Sequence, residues 1–425
     1  MKQQQHNAFT DALVRNGTTY RKTTLPGGLR IVTEDVPSVH SMAIGVWIDT
    51  GSRDEAADLN GISHFIEHAV FKGTRTRRTH HIAQFLESVG GYINAFTTKD
   101  STCYYARVLR PHLPRAVHLL ADLVQNPVFP LKEIEKEKQV IIEELRGAED
   151  DPEDLVHEYF EEQLYGRHPL GQPIIGREKN ILAFTQQHLI DFVQAHYTAQ
   201  NVIIVAAGAV DHDQLVDYCL KEFSALPAGA VPNRRKPRTP RASQGKRTRP
   251  IQQTHLVLGA MTGGYHSRQR HSMAVLNTLL GEGMSSRLFQ RVRERHGYAY
   301  NIYSFLSMYR DASTFGVYAG LERGQAHRAR DLILRELRVL TEEEVSPREL
   351  GRARQQVVGA MLMGMESMTN RMTRIARDEL VFGKDIKVSD LVEQVHRVRP
   401  EDIRQLSKQL FAEGALSEML LEPTS

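Results

Sequence analysis

An α+β fold built from two homologous halves is the expectation for this chain of 425 residues, and three observations lead to it. Helical periodicities and strand-like runs alternate throughout, without any long apolar stretch. The helix-then-strand signal of Gln187 to Gly208 returns at Pro400 to Leu421, an offset of about 214 residues. Between the two copies lies a basic, proline-bearing segment. Each half is expected to place helices on one face of a mostly antiparallel sheet. The division that follows is a first domain over residues 20–226, a linker over 227–250 and a second domain over 251–425.

Taken in order, residues 1–19 carry no periodic pattern and read as a tail. Leu25-Pro26-Gly27-Gly28 is a turn feeding a strand at Leu29 to Val32. Ser41 to Thr50 is a second strand and holds the single tryptophan, Trp47. His80 to Val89 has amphipathic helical spacing and stops at Gly90-Gly91. Tyr92 to Val108 is rich in Thr, Tyr and Phe, a strand composition. Helices are expected at 112–125, 131–149, 153–164 and 187–196. A buried strand follows at Asn201 to Gly208, and a helix at Asp213 to Leu226 closes the first half.

The linker from Pro227 to Pro250 holds eight Lys or Arg residues and no acid: Arg234, Arg235, Lys236, Arg238, Arg241, Lys246, Arg247 and Arg249. It is expected to be a solvated connector, because it has too little apolar surface to order itself. No aromatic residue interleaves its charges for stacking on bases, so nucleic acid is not an expected partner. Thr254 onward repeats the pattern, with a strand at His255 to Ala260 and a helix at Ser272 to Leu280.

Composition narrows the function classes. The 41% hydrophobic and 25% charged content is that of an ordinary globular protein, and a net charge of +3 gives no global pull toward nucleic acid or membrane. No apolar run is long enough to span a bilayer, so no membrane association is expected. The N-terminus lacks the apolar stretch of a secretory signal. The two cysteines, Cys103 and Cys219, form no C-x-x-C pair, and a cytoplasmic, reducing location is the expectation.

The chemistry concentrates in Gly61-Ile62-Ser63-His64-Phe65-Ile66-Glu67-His68. On a helix, His64 and His68 stand one above the other, and two imidazoles at i and i+4 can bind one zinc ion. Glu67 lies between them, placed to take a proton from a water at the metal. A catalytic zinc needs a third protein ligand. Candidates lie in Lys136 to Leu145, where Glu137 and Glu144 share one helical face. Glu144 would ligate and Glu137 would orient or polarise from behind. Glu143, adjacent to Glu144, keeps that choice open. His157 and His168 read as structural histidines rather than further ligands.

These residues resemble the pitrilysin and mitochondrial processing peptidase family of zinc metallopeptidases, the inverzincins. The likeness joins His-x-x-Glu-His to a glutamate separated from His68 by 75 intervening residues, which is Glu144. It extends over His168-Pro169-Leu170-Gly171, Gly283 to Phe289 and the two-half layout, as in a short two-domain bacterial-type member. The resemblance implies Zn2+ held by His64, His68 and Glu144, with Glu67 as general base. It implies that Asn94 and Ala95 lie on an edge strand that pairs with substrate backbone. It also implies that Arg293 and Tyr300, which span a helix end and the next strand, bind substrate or an oxyanion.

In that family four such domains enclose a clamshell chamber. A two-domain chain would supply half and pair with itself, or with an inactive homologue, to cleave unstructured peptides. The long glycine-rich presequence loop of the mitochondrial enzyme has no counterpart beyond Gly281-Glu282-Gly283. The alternative, a non-catalytic structural or assembly subunit of the same fold, is disfavoured because such subunits generally lack the metal motif.

Overall fold

The computed structural model describes residues 17–424. Most of the segment read as a tail, residues 1–16, lies outside them. The chain forms two compact units. Among the described residues, one contains 17–145, 172–234 and 364–389; the other contains 146–171, 235–363 and 390–424.

The first unit has a six-stranded sheet: β1 (Thr19–Thr24), β2 (Arg30–Asp35), β3 (Ser41–Ile48), β4 (Tyr92–Thr97), β5 (Thr102–Leu109) and β6 (Val202–Gly208). The order is β1-β2-β6-β3-β5-β4. Only β2 and β6 run parallel. The run from Tyr92 to Val108 is thus a hairpin, closed where the Thr98 N–H donates to the Ser101 carbonyl at 2.8 Å.

Helices were expected on one face of this sheet, and it is covered on both. The helices between Ile62 and Glu222, other than Pro152–Tyr165, bury Ile31, Ile44, Val46, Tyr104 and Ile204 on one side. On the other, the helix Met368–Phe382 packs Met368, Met372, Ile375 and Ala376 against Val32, Ala43, Trp47, Ile203 and Val205. Double burial explains why β6 is apolar at successive positions instead of alternating. The added helix is well delimited. Ser367 caps its first turn by accepting from the Asn370 N–H, and Gly383 ends it in the left-handed region at φ 69°.

The second unit has five strands: β7 (Gln244–Arg249), β8 (Thr254–Thr262), β9 (Ala299–Met308), β10 (Ser313–Leu321) and β11 (Ser417–Pro423). Their order is β7-β11-β8-β10-β9, and only β7 with β11 is parallel. Strand for strand this repeats β2-β6-β3-β5-β4, including the one parallel pair. Helix Pro152–Tyr165 packs Leu155, Val156, Phe160 and Leu164 against Val257, Tyr318, Met419 and Leu421.

The units therefore do not follow a division at 226 and 251. Helix Pro152–Tyr165 belongs with the second sheet and helix Met368–Phe382 with the first, so each unit takes one helix from the other half of the sequence. Local patterning marked the first of these helices, expected at 153–164, but not the second, and gave no sign of which sheet the first would cover.

The linker also departs from expectation. Residues Gln244–Arg249 form strand β7. Arg234 is buried: its Nε and Nη2 hold both oxygens of Asp54 (2.8 and 2.7 Å), its Nη1 reaches Asp49 (2.9 Å), and Nη2 also meets the Asp100 carbonyl (2.7 Å). Paired carboxylates at the end of β3, invisible in the linker's own composition, make this burial favourable. Replacing Arg234 by Met should destabilise the protein by roughly 3–5 kcal/mol, because two buried aspartates lose their counter-charge. Denaturant unfolding would check this, and a loss near zero would show that the linker is only loosely attached.

Candidate metal centre

The centre begins with a helix of eight residues, Ile62–Ala69. Ile62, Phe65, Ile66 and Ala69 are buried, and Phe65 meets Phe184 edge to face at 5.4 Å between centroids. His64, Glu67 and His68 are left on the opposite, half-buried face. The helix start is held from outside. Glu55 accepts from the N–H groups of Gly61 (2.7 Å) and Ser63 (2.8 Å) and from the Asn60 amide (3.2 Å). These are donors that a helix cannot satisfy by itself. Burial pushes the Glu55 carboxyl up to about 7 against the pull of those hydrogen bonds. Gly61 stands at φ 98°, and a Cβ there would come within 2.7 Å of Gly176 Cα and the Ile175 carbonyl, so only glycine fits.

The imidazoles of His64 and His68 lie 4.7 Å apart between centroids. Helix Leu131–Asp150 brings up the third group: Glu144 Oε1 is 3.7 Å from His64 Nε2, and Oε2 is 3.6 Å from His68 Nε2. These separations are too long for hydrogen bonds. They are close to the ~3.3 Å between neighbouring donors of a tetrahedral site with ~2.05 Å bonds. The three groups offer ligand atoms all within 4.8 Å of one another, the only such grouping among the described residues. Glu143 is exposed and is not part of it.

Glu137, two turns before Glu144, is buried beneath His68. Its Oε1 pairs with His68 Nδ1 at 2.9 Å and its Oε2 with Lys72 Nζ at 2.8 Å. Burial pushes its pKa up, but the hydrogen bonds from His68 and Lys72 outweigh this and leave the carboxyl below the usual range. With Nδ1–H directed at Glu137, His68 turns Nε2 toward Glu144, which fits a carboxylate–histidine–metal arrangement. Glu137, counted among the candidate catalytic residues, thus lies behind His68 and orients its ring. Burial, then the charge of His68, lowers the His64 pKa to about 4, so that imidazole is neutral and its lone pair available near neutral pH. His64 Nδ1 is buried without a hydrogen-bond partner. This donor set, two imidazoles and a carboxylate, fits zinc.

Glu67 is half-buried beside β4. Thr97 Oγ1 donates to Glu67 Oε2 at 2.6 Å, which leaves Oε1 for other work. Burial raises the Glu67 pKa and the Thr97 hydrogen bond partly offsets it. Among the described residues β4 is the last strand of its sheet and pairs only with β5, so it presents an open edge carrying Asn94 and Ala95. The N–H of Ala95 donates to the Asn94 side chain at 2.8 Å.

Arg293 and Tyr300 belong to the second unit. Arg293 is in a π-helical turn, Phe289–Glu294, and Tyr300 is in β9. They come together: the Arg293 guanidinium lies 5.9 Å from the Tyr300 ring centre and 4.8 Å from that of Phe289. Both line a cavity of about 350 Å³ with Asp151, Glu153, His255, Asn301 and Tyr318. Glu153 accepts from Tyr303 (2.7 Å) and Asn301 (3.3 Å), and His157, expected to be structural, pairs with Tyr303 at 3.0 Å.

Sequence reading missed Glu55, Lys72, Thr97 and Glu153. Glu55 could have been suspected as an acid shortly before a helix without a capping side chain. The others offered no local signal.

Comparison with known proteins bears on this geometry. Residues 30–178 match the family described as Insulinase (Peptidase family M16), and residues 183–357 match the Peptidase M16 inactive domain. The chain is 40% identical over 404 residues to a protein of Streptomyces coelicolor named an uncharacterized zinc protease, with 92% of this chain and 87% of the relative covered. It is 37% identical over 396 residues to the uncharacterized zinc protease YmxG of Bacillus subtilis, covering 92% and 96% respectively. The structure of a protease from Helicobacter pylori has a TM-score of 0.90 at 22% identity, over 96% of this chain and 100% of that one. The structure of a peptidase M16 inactive domain from Pseudomonas fluorescens has the same score at 19% identity, over 96% and 99%. At such identities these two structures show a shared fold.

Zinc content should separate the two adjacent carboxylates. Metal analysis after Glu144→Gln is expected to show most of the zinc lost, and after Glu143→Gln little change. The reverse order would make Glu143 the ligand. Glu137→Gln should retain the ligand set but weaken zinc binding by about 10–100-fold, as for other outer partners of a ligating histidine.

Proposed function

The chain belongs to the insulinase family of peptidases, M16, and from that premise we propose that it is a zinc-dependent endopeptidase acting on unstructured peptides. The observation that carries the proposal is the convergence of His64, His68 and Glu144 around one point, with Glu67 on the same helix. The zinc-protease names of relatives at 37–40% identity support the metal. Zinc, held by these three residues, would supply Lewis acidity toward a peptide carbonyl and toward water.

The protein's own residues account for the remaining steps. Glu67 Oε1 takes the proton of the attacking water and later delivers it to the leaving amine, while Thr97 holds Oε2 and fixes the carboxyl plane. A raised pKa suits this task, because a carboxylate of ordinary acidity is a weak base near neutrality. The free edge of β4 accepts an extended peptide through main-chain hydrogen bonds, and the Asn94 side chain must yield the Ala95 N–H as it docks. Recognition by backbone explains why substrates should be unfolded rather than of one sequence. Arg293 and Tyr300 supply a guanidinium and a phenol for a peptide carbonyl or oxyanion.

We further propose that the working particle is a homodimer whose chains together enclose a chamber, as the family resemblance implies. Support comes from the separation of parts, with the metal cluster wholly in one unit and the Arg293–Tyr300 pair in the other. A cytoplasmic setting is proposed as well. Both cysteines are free and buried, and no helix among the described residues is long and apolar enough to cross a membrane.

Glu67→Gln should keep its zinc and lose at least about 100-fold in cleavage of a quenched unstructured peptide, the usual lower range for a general base. Retention of most of the rate would remove Glu67 from the mechanism. Mixing that variant with an inactive Arg293→Ala/Tyr300→Phe protein tests the dimer. Subunit exchange should restore part of the activity, because one hybrid site would be intact. A fully active monomer, or no recovery in proven mixed dimers, would rule out a site shared between chains.

A further inference from the structure

An open groove of about 470 Å³ lies in the first unit, between helix Thr79–Glu87 and helix Leu113–Gln125. Phe85 is at its centre, and two guanidiniums share that one ring, Arg77 at 4.5 Å and Arg115 at 4.7 Å from the ring centre. His81, Gln84 and His118 line the same groove, and among the described residues no carboxylate does.

The two arginines are not equivalent. Arg77 commits Nη1 to the buried carboxylate of Asp122 at 2.6 Å, which lies behind it and fixes the guanidinium in place. His118 is held in the same way, Nδ1 against Glu222 Oε2 at 2.7 Å, so its Nε2 remains. Arg115 has no ion pair among the described residues. Asp122 and Glu222 thus pair with Arg77 and His118 from behind, and Arg115 is the guanidinium on this ring that has no carboxylate partner among the described residues. Donors positioned from behind, with an open face in front, make a preorganised receptor for a multiply charged oxyanion.

We propose that this groove binds a small phosphate-bearing molecule, with Arg115 as the principal contact and Arg77, Gln84 and the histidines as supporting donors. The free fork of Arg115, with the remaining donors of Arg77 beside it, matches the several oxygens of a diphosphate better than those of one carboxylate. The volume is within the range of small-molecule sites and exceeds the needs of a single phosphate ion. This inference is independent of the peptidase reading, since none of these residues belongs to the metal cluster.

The test is calorimetric titration of the zinc-loaded protein with inorganic pyrophosphate at low and moderate salt. Saturable binding is expected, weakening as salt rises. Arg115→Gln and Gln84→Glu should each weaken it at least tenfold, and the exposed Arg110→Gln, outside the groove, should not. Absence of saturable binding at millimolar pyrophosphate would overturn the proposal, as would equal weakening by Arg115→Gln and Arg110→Gln. Loss of binding in Glu144→Gln would also overturn it, since the ligand would then have been on the metal. Because Gln84 is exposed, its variant should fold even if the Arg115 change proves disruptive.

Discussion

An eight-residue helix is too short to persist by its own hydrogen bonds, yet it has to hold two imidazoles and a carboxylate in fixed relation. That constraint governs the first unit. Four apolar side chains bury one face of the helix in the core, Glu55 satisfies the donors at its start, and the Gly61–Gly176 contact brings two backbones together where a Cβ would intervene. Rigidity is imported from the tertiary structure. The polar face can then be given over to chemistry, because packing and capping alone hold the helix in place.

The same logic extends to the charged groups around it. Glu137 is buried, but Lys72 and His68 engage both of its oxygens, so its burial fixes a ring orientation instead of leaving a bare charge. Arg234 does for the linker what Glu137 does for the ligand, with Asp49 and Asp54 as its fixed counterparts. Glu379, on the helix that covers the far face of the sheet, meets Lys22 at 2.6 Å and Arg30 at 3.2 Å. In each case a charge pairs with residues remote in sequence and fastens one segment to another.

Duplication shows where the two units diverged. Both sheets share a strand order and the same single parallel pair, a coincidence that common descent explains simply. The early helix of the second unit, Arg270–Gly281, buries Ser272, Met273, Val275 and Leu276 and bears no ligand pair where the first unit has its histidines. What the second unit offers instead is the Arg293–Tyr300 cavity, floored by Glu153 from a helix of the first half of the sequence.

Several features were determined by sequence alone. The spacing of His64, Glu67 and His68 fixes one helical face whatever surrounds it, because 3.6 residues per turn is a local property. The i, i+7 relation of Glu137 and Glu144 is local in the same sense, and the apolar run of β6 marked a buried strand, though not that both of its faces are covered. Local rules failed where partners lie far apart along the chain. Nothing in residues 227–250 announces that Arg234 is buried, since its aspartates lie some 180 residues earlier. No pattern within Pro152–Tyr165 or Met368–Phe382 tells which sheet each will cover, because an amphipathic helix specifies only that one face must be buried. Helical patterning left Glu144 and Glu143 both open, and the preference for Glu144 rested on the family resemblance. Adjacent helical residues point about 100° apart, and only the packed orientation of the helix decides which one meets the histidines.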